Sequence, residues 1–246
     1  LPKLNDTFRT KPVAYRTILT AGKGETQIAE QISDFEDDLP EGLKLAYLPN
    51  LGAVRVRLTA VSGSKDEQTA LLKTKGDELI EILGSAVFGE GHLKLEESLG
   101  HTLKEKGLKL RTAESCTGGY IAHRMTSIPG SSTYFEGSIV TYSNTQKINM
   151  LGVKPETLEQ VGAVSEEVVL EMLSGMLDKL GVDVGITVSG IMGPGGAVPG
   201  KPVGTVWIAI GTPNGLVSKK FLFENNRERN IRRSALTSLN MLRKIL

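Results

Sequence analysis

The sequence predicts an α/β protein of two units: a small βαββα unit over residues 1–90, followed by a three-layer α/β/α sandwich with a mixed sheet over residues 91–246. Three observations lead to this prediction. Short alternating segments dominate the first part, glycines at positions 84, 89 and 91 interrupt the periodicity, and strands and helices alternate after them before a final strand pair.

The first unit carries its elements in the order strand, helix, strand, strand, helix. They are predicted over residues 12–21, 25–35, 43–49, 54–61 and from about 65 to 83. The turn of Asn50, Leu51 and Gly52 between the second and third strands is typical of an antiparallel hairpin. Ser64 and Glu67 have the spacing of a capping box, which predicts where the last helix begins.

The second unit has longer helices and more apolar strands. Strands are predicted over 108–114, 135–142, 182–190, 205–211 and 217–224, and helices over 92–106, after Gly119, near 144–151, 155–161 and 166–180, and from Arg227 onward. The near-continuous apolar run at 182–190 is typical of a strand covered on both faces. A glycine- and proline-rich loop follows that strand.

Composition and charge exclude several classes of protein. The chain has 39% apolar residues, 29 basic against 28 acidic side chains, and no apolar run near the roughly 20 residues that cross a bilayer, so we predict no membrane partner. Its single cysteine, Cys116, excludes an internal disulfide and fits a reducing, cytoplasmic location. The chain begins with Leu1, and residues 1–10 have the composition of a linker, so we expect a piece of a longer polypeptide.

Charge is unevenly distributed along the chain. Residues 1–90 carry 11 basic and 14 acidic side chains, whereas the basic excess concentrates in residues 219–246. A nucleic-acid partner is disfavoured, because general binding needs basic side chains across a whole face with aromatic residues among them. A local anion site near the carboxyl end is predicted instead.

The first candidate site is the segment ESCTGG at 114–119, where a strand ends and a helix begins. Ser115 and Thr117 supply hydroxyls, and Gly118 and Gly119 let a ligand approach the backbone. Free amides at the helix start would face an anion such as phosphate. An ordinary helix N-cap is the alternative, and the local pattern leaves both open.

The second candidate site is the segment 129–147, which contains Ser132, Tyr142 and Lys147. The three histidines of the chain are poorly placed for a Ser-His-Asp triad. A lysine replaces histidine as the base only if its pKa falls by about three units, or roughly 4 kcal/mol. Lys147 would then need a dry pocket or a cationic neighbour such as a carboxyl-terminal arginine. A solvated helix lysine is the alternative.

The third candidate site is the loop at 189–204, rich in glycine and proline, at the carboxyl end of the most buried strand. Ligands of open α/β sheets bind at that end. A connection between neighbouring strands needs only a few residues, and this one is more than ten long. We therefore expect a binding loop, with a rigid structural crossover as the alternative.

These segments together resemble the CinA (competence/damage-inducible) family. The stretch from AESCTGG to YSNTQK, then VSGIMGPGG and KPVGTVWIAI, is similar to the carboxyl-terminal domain of that family, and residues 1–90 resemble its KH-type middle domain. The family's amino-terminal molybdopterin-binding-like domain is absent from this chain. The resemblance implies hydrolysis of nicotinamide mononucleotide (NMN) to nicotinic acid mononucleotide and ammonia in pyridine nucleotide recycling, by a Ser/Lys pair with an additional arginine.

The resemblance also assigns residues. It implies Ser132, Lys147, Tyr142 and Arg227 as catalytic, with Ser115 as the alternate nucleophile. The implied substrate-binding residues are Ser115, Thr117, Gly118, Gly119, Ser189, Gly190, Gly193 and Gly195. The segment before Arg227 departs from the family pattern, so the choice among the carboxyl-terminal arginines is open. Met192 stands where small residues are common, which would narrow the pocket.

The predicted chemistry needs no metal and no cofactor. Ser132 would attack the carboxamide, neutral Lys147 would take its proton, and backbone amides or an arginine would meet the oxyanion. The first unit lacks the GxxG spacing with which KH modules clamp nucleic acid, so we predict a structural role beside the second unit or within a homodimer. The alternative function is a nucleotide-binding scaffold without catalysis.

Overall fold

The computed structural model describes residues 13–246 and forms two compact units, with the division between Leu93 and Lys94. The sequence places this division at residues 90–91. The predicted linker at residues 1–10 lies outside the described residues. No helix of the described part is long and apolar enough to cross a membrane.

The first unit is a four-stranded antiparallel sheet covered by helices. Its elements are β1 (Ala14–Ala21), α1 (Glu25–Gln31), α2 (Ser33–Asp37), β2 (Leu43–Asn50), β3 (Ala53–Ala60), α3 (Lys65–Leu83) and β4 (Val87–Glu90). The strand order is β2-β3-β1-β4. The predicted hairpin is confirmed as β2 and β3, with Leu43 opposite Ala60. The predicted capping box is confirmed, since Ser64 Oγ accepts from the Glu67 amide at 3.3 Å and Glu67 Oε2 accepts from the Ser64 amide at 2.7 Å.

Two details of this unit differ from the prediction. The single helix expected over 25–35 is two short helices, α1 and α2, which meet at Ile32. The strand β4 was not predicted, because four residues are too short to show alternation. It joins the sheet beside β1, where Ile18 lies opposite Glu90.

The second unit is the predicted three-layer sandwich around a mixed sheet. Its elements are α4 (Leu95–Glu105), β5 (Leu110–Glu114), α5 (Tyr120–Thr126), β6 (Phe135–Val140), α6 (Asn144–Leu151), α7 (Pro155–Val161), α8 (Glu166–Leu180), β7 (Val184–Gly190), β8 (Thr205–Thr212), β9 (Gly215–Leu222) and α9 (Arg227–Ile245). The strand order is β6-β5-β7-β8-β9. One layer contains α6, α7 and α8, and the other contains α4, α5 and α9.

The sheet direction decides where a site can form. Strands β5, β6 and β7 are parallel, whereas β8 and β9 return antiparallel. Glu114, Val140 and Val188 lie side by side in the register, so the three parallel strands end at the same edge. Ligands of such sheets bind outside the carboxyl ends of the strands.

Candidate active site

The candidate site lies at the edge where the three parallel strands end. Ser115 follows β5 directly, Thr141 follows β6, and Ser189 is near the end of β7. All three are buried polar residues. The register of the parallel strands therefore brings together segments that are far apart in sequence.

A lysine and a serine form the centre of the site. Lys147 lies in the first turn of α6, whose N-cap Ser143 accepts from the Gln146 amide at 3.3 Å. Its side chain is 1% exposed, and its Nζ lies 2.9 Å from Ser115 Oγ. Nζ also donates to the carbonyl oxygens of Thr141 at 2.9 Å and Tyr142 at 3.4 Å. The solvated helix lysine of the alternative interpretation is therefore excluded.

Burial lowers the pKa of Lys147, because the charged ammonium loses its hydration in the dry interior. The predicted dry pocket supplies the shift. The contacts suit a neutral amine, which has two N–H donors and one lone pair: the two carbonyls take the donors, and the lone pair can accept the Ser115 hydroxyl proton.

The predicted pairing of Ser132 with Lys147 requires correction. Ser132 is exposed in a 3-10 turn (Ser131–Thr133) before the amino end of β6, whereas Lys147 follows the carboxyl end of that strand. Six strand residues separate the two by about 20 Å. Closeness in sequence suggested the pair, and an extended strand between the two residues prevents it. The serine beside Lys147 is Ser115.

The helix start after Ser115 is occupied by the protein's own carboxylate. Glu114 is fully buried, and its side chain accepts from the backbone amides of Gly119 and Ile121 at 3.0 Å and of Ala122 at 2.8 Å. It also accepts from the Thr117 hydroxyl at 2.7 Å. The amides of Gly119, Ile121 and Ala122 and the Thr117 hydroxyl are thus not free for a phosphate, which corrects that expectation.

Arg227 is the carboxyl-terminal arginine that reaches the site. One guanidinium nitrogen donates to Tyr142 Oη at 3.0 Å and another to the Gly193 carbonyl at 3.0 Å. Other arginines of α9 are engaged elsewhere, since Arg229 and Arg233 pair with Glu224 at 3.1 and 2.9 Å. Three predicted site residues, Tyr142, Gly193 and Arg227, therefore come together beside the Ser115–Lys147 pair.

The glycine-rich loop after β7 is held at its start. Ser189 Oγ donates to the Ala163 carbonyl at 2.7 Å, and a Cβ on Gly190 would lie within 3.0 Å of three neighbouring atoms. Gly193 adopts a φ of +87°, which favours glycine. Gly195 lies in open space, since a Cβ there would meet nothing within 4 Å. The open part of the loop is residues 194–200, which include Gly195, whereas Ser189 and Gly190 are packed.

Sequence reasoning missed two residues of this region, Glu114 and Asn230. Asn230 is fully buried in α9, and its Nδ2 donates to the carbonyls of Met192 at 3.1 Å and Glu224 at 2.7 Å. These two hydrogen bonds connect the segments around Met192 and Glu224 to α9, the helix that carries Arg227. The sequence did contain a signal for Glu114, which is a glutamate at the end of an apolar strand just before a glycine-rich helix start. It contained no signal for Asn230, which lies in the interior of a polar helix.

The neighbouring thiol does not compete as a nucleophile. Burial raises the pKa of Cys116 to about 12, which leaves it a neutral thiol at physiological pH. Within residues 13–246, no group of three or more His, Cys, Asp or Glu side chains is arranged to hold a metal ion. Ser115, with Lys147 at 2.9 Å, is the candidate nucleophile of the described site.

Fold and site together define a two-unit α/β protein whose second unit presents a buried serine–lysine pair at its strand ends. The protein-family model of the CinA C-terminal domain matches residues 92–246, and the family model of the damage-inducible protein CinA KH domain matches residues 15–89. The chain belongs to the CinA family.

Relatives and solved structures agree with this assignment. A CinA-like protein of Cytophaga hutchinsonii is 42% identical over 244 residues, which cover 99% of this chain and 58% of that protein. A CinA-like protein of Chloroherpeton thalassium is 42% identical over 95% of this chain and 57% of its own length. The chain thus spans somewhat more than half the length of these relatives. The competence damage-inducible protein A of Klebsiella pneumoniae has a TM-score of 0.59 at 36% identity, covering 61% of this chain and 92% of that one.

Proposed function

We propose that the second unit hydrolyses the carboxamide of NMN to nicotinic acid mononucleotide and ammonia. The observation that carries the proposal is the 2.9 Å approach of Lys147 Nζ to Ser115 Oγ in a site that lowers the pKa of the lysine. A nucleophile within hydrogen-bond reach of a base is the arrangement of acyl-transfer catalysis. Membership of the CinA family supports this reaction class.

In the proposed reaction, Ser115 Oγ attacks the carboxamide carbon and Lys147 accepts the hydroxyl proton. The C–N bond then breaks, Lys147 returns the proton to the leaving nitrogen, and ammonia departs from an ester of Ser115. Neutral Lys147 next takes a proton from water, whose oxygen attacks the ester and releases the acid. Lys147 finally returns the proton to Ser115, so the enzyme is regenerated.

We assign the remaining parts of the substrate to groups beside the pair. The Tyr142 side chain is 61% exposed next to Arg227 and offers a ring face to the cationic pyridine ring. Arg227 supplies positive charge for the oxyanion or the phosphate. Because Glu114 occupies the start of α5, we assign the phosphate to the loop at Gly193 and Gly195.

The test is ammonia release from NMN by two serine variants. Ser115→Ala is expected to lower kcat by about ten-thousandfold or more, because the nucleophile is lost. Ser132→Ala is the matched control and is expected to stay within about twofold of the parent, since Ser132 is exposed at the other end of β6. The reverse result would restore Ser132 as the nucleophile. Binding of NMN without turnover in the parent would support the scaffold alternative.

A further inference from the structure

Glu114 is a buried carboxylate for which the reaction proposed above has no chemical step. Its Oε2 accepts from the Thr117 hydroxyl and the amides of Gly119 and Ile121, and its Oε1 accepts from the Ala122 amide. Two hydroxyls, of Thr112 and Ser138, complete the shell at 3.3 Å. Among the described residues no lysine or arginine forms an ion pair with Glu114, so its partners are backbone amides and hydroxyls.

These contacts close the chain around the nucleophile. Glu114 ends β5, and the three backbone amides and the Thr117 hydroxyl that it binds lie in the next eight residues, up to Ala122 in α5. Ser115 is the first residue inside this loop. Gly118 and Gly119 have φ values of +60° and +94°, so the loop is a sharp turn in the left-handed region. A helix of seven residues such as α5 has little cooperativity of its own, and Glu114 satisfies its first amides.

The Ser115 backbone is also held by two hydrogen bonds. Its amide donates to the Val188 carbonyl at 3.1 Å, and its carbonyl accepts from the Gly118 amide at 3.2 Å. Lys147 approaches from a different strand end, 32 residues further along the chain. The Oγ–Nζ distance therefore depends on how rigidly the turn after β5 is held.

We propose that Glu114 is a positioning residue, which holds the Ser115–Gly119 turn so that Ser115 Oγ stays within reach of Lys147 Nζ. The inference rests on the proposed function for the role of Ser115. Glu114 acts through Ser115 and does not contact the substrate. The carboxylate is needed at this position because both of its oxygens accept a backbone N–H.

The test compares Glu114→Gln with the parent. The amide nitrogen of glutamine is a donor, and in either orientation it faces a backbone N–H of Gly119 and Ile121 or of Ala122, so the turn must shift. We expect kcat for NMN to fall by about 10- to 100-fold, because a displacement near 1 Å has this effect, with KM within about twofold. Glu136→Gln, at an exposed carboxylate of β6, is the matched control and should leave both constants unchanged.

A second measurement separates positioning from the identity of the substrate. A small fluorophosphonate forms an Oγ–P bond with Ser115 as fluoride leaves, and intact-protein mass spectrometry follows the rate without NMN. We expect the labelling rate to fall in Glu114→Gln by the same factor as kcat, with melting temperatures showing that the variant is folded. A structural role alone would change the melting temperature while the folded protein kept the parental labelling rate.

Each outcome decides the proposal. If Glu114→Gln keeps the parental kcat for NMN and the parental labelling rate, the role of Glu114 is overturned and the proposed function still stands. Glu114-sensitive labelling without NMN turnover would overturn the substrate and support the positioning role, and a parent that shows neither labelling nor turnover would overturn both. If Glu114→Gln does not fold, Glu114→Ala is labelled with and without sodium formate: saturable recovery by formate supports the proposal, and its absence overturns it.

Discussion

In the proposed reaction, Lys147 can act as a base because of where the fold places it. The same side chain on a solvated helix would be protonated near neutral pH and could not accept a proton. Here α6 begins directly behind the strand ends, so its first turn directs Nζ to the carbonyls of Thr141 and Tyr142 and the hydroxyl of Ser115. Burial supplies the lowered pKa, and the two carbonyls orient the lone pair.

The pH dependence of turnover follows from the direction of this shift. Only neutral Lys147 accepts the serine proton, so kcat/KM for NMN should rise with pH through the lowered pKa and then level off. Lys147→Arg keeps the charge but does not deprotonate, and we expect a loss of about a hundredfold or more. Lys154→Arg, at an exposed lysine of the same segment, is the control. A pH-independent rate, or parental kcat in Lys147→Arg, would remove Lys147 from the role of base.

The same burial should cost stability. In the unfolded chain Lys147 titrates near its usual pKa of 10.5, whereas the folded state lowers that pKa. Between the two values the unfolded state binds more protons, so the parent gains stability as pH rises, by about 1.4 kcal/mol for each unit between the two pKa values. Lys147→Met removes the cost of burying a charged ammonium. The free energy of unfolding of this variant should therefore exceed that of the parent, and the difference should be largest at pH values below the lowered pKa.

Urea unfolding of Lys147→Met and the parent from pH 6 to 10 measures the difference. We expect it to shrink as pH approaches 10. Lys154 is exposed, so the difference in the free energy of unfolding between Lys154→Met and the parent should not change with pH in this way. A Lys147→Met difference that is constant across this range would contradict the depressed pKa.

At the scale of elements, the contact between α6 and α8 sets the position of Lys147. Gly175 of α8 lies so close to α6 that an added Cβ would stand 1.6 Å from the Leu151 carbonyl oxygen. Leu151 ends α6, one turn after Lys147. The glycine is therefore required by the close approach of two helix backbones.

Gly175→Ala should force these helices apart. We expect it to lower the free energy of unfolding by about 1–3 kcal/mol, the usual cost of overpacking, and to lower kcat because α6 carries the base. Ser174→Ala is the matched control at an exposed neighbour, and it should be nearly silent. Urea midpoints and NMN turnover measure both effects. Parental stability and kcat in Gly175→Ala would show that the helices do not need this approach.

At the scale of the whole molecule, the candidate site belongs to one unit. All the groups of the candidate site lie after the division at Leu93 and Lys94. The first unit has its own core around Ile18, Val56 and Leu79. Its structural role and the homodimer stay predictions.

A chain of residues 94–246 should therefore fold alone and deamidate NMN with kcat within about threefold of the parent, since about 150 residues suffice for an independent core. The solved Klebsiella pneumoniae family member supports independent folding, because 61% of this chain covers 92% of that one. Circular dichroism and ammonia release test the prediction. A folded but inactive fragment would show that the first unit completes the site.

Most of the strands and helices could be predicted from local sequence patterns. Alternation in β2 and β3, the capping box before α3, the apolar run of β7 and the periodicity of α8 are local signals, and local signals decide strands and helices. They were too weak for β4, which has four residues, and for the break at Ile32 between α1 and α2. The family motifs likewise indicated Lys147, Tyr142 and Arg227.

Which groups meet at the candidate site depends on the tertiary structure. The parallel register aligns the ends of β5 and β6, which brings Ser115 to Lys147 and leaves Ser132 at the opposite end of β6. Glu114 likewise accepts from the backbone amides that the sequence led us to expect at a phosphate site. The physical reason is that distances between strand ends and the burial of a charge depend on packing across the whole sheet, and no local pattern encodes them.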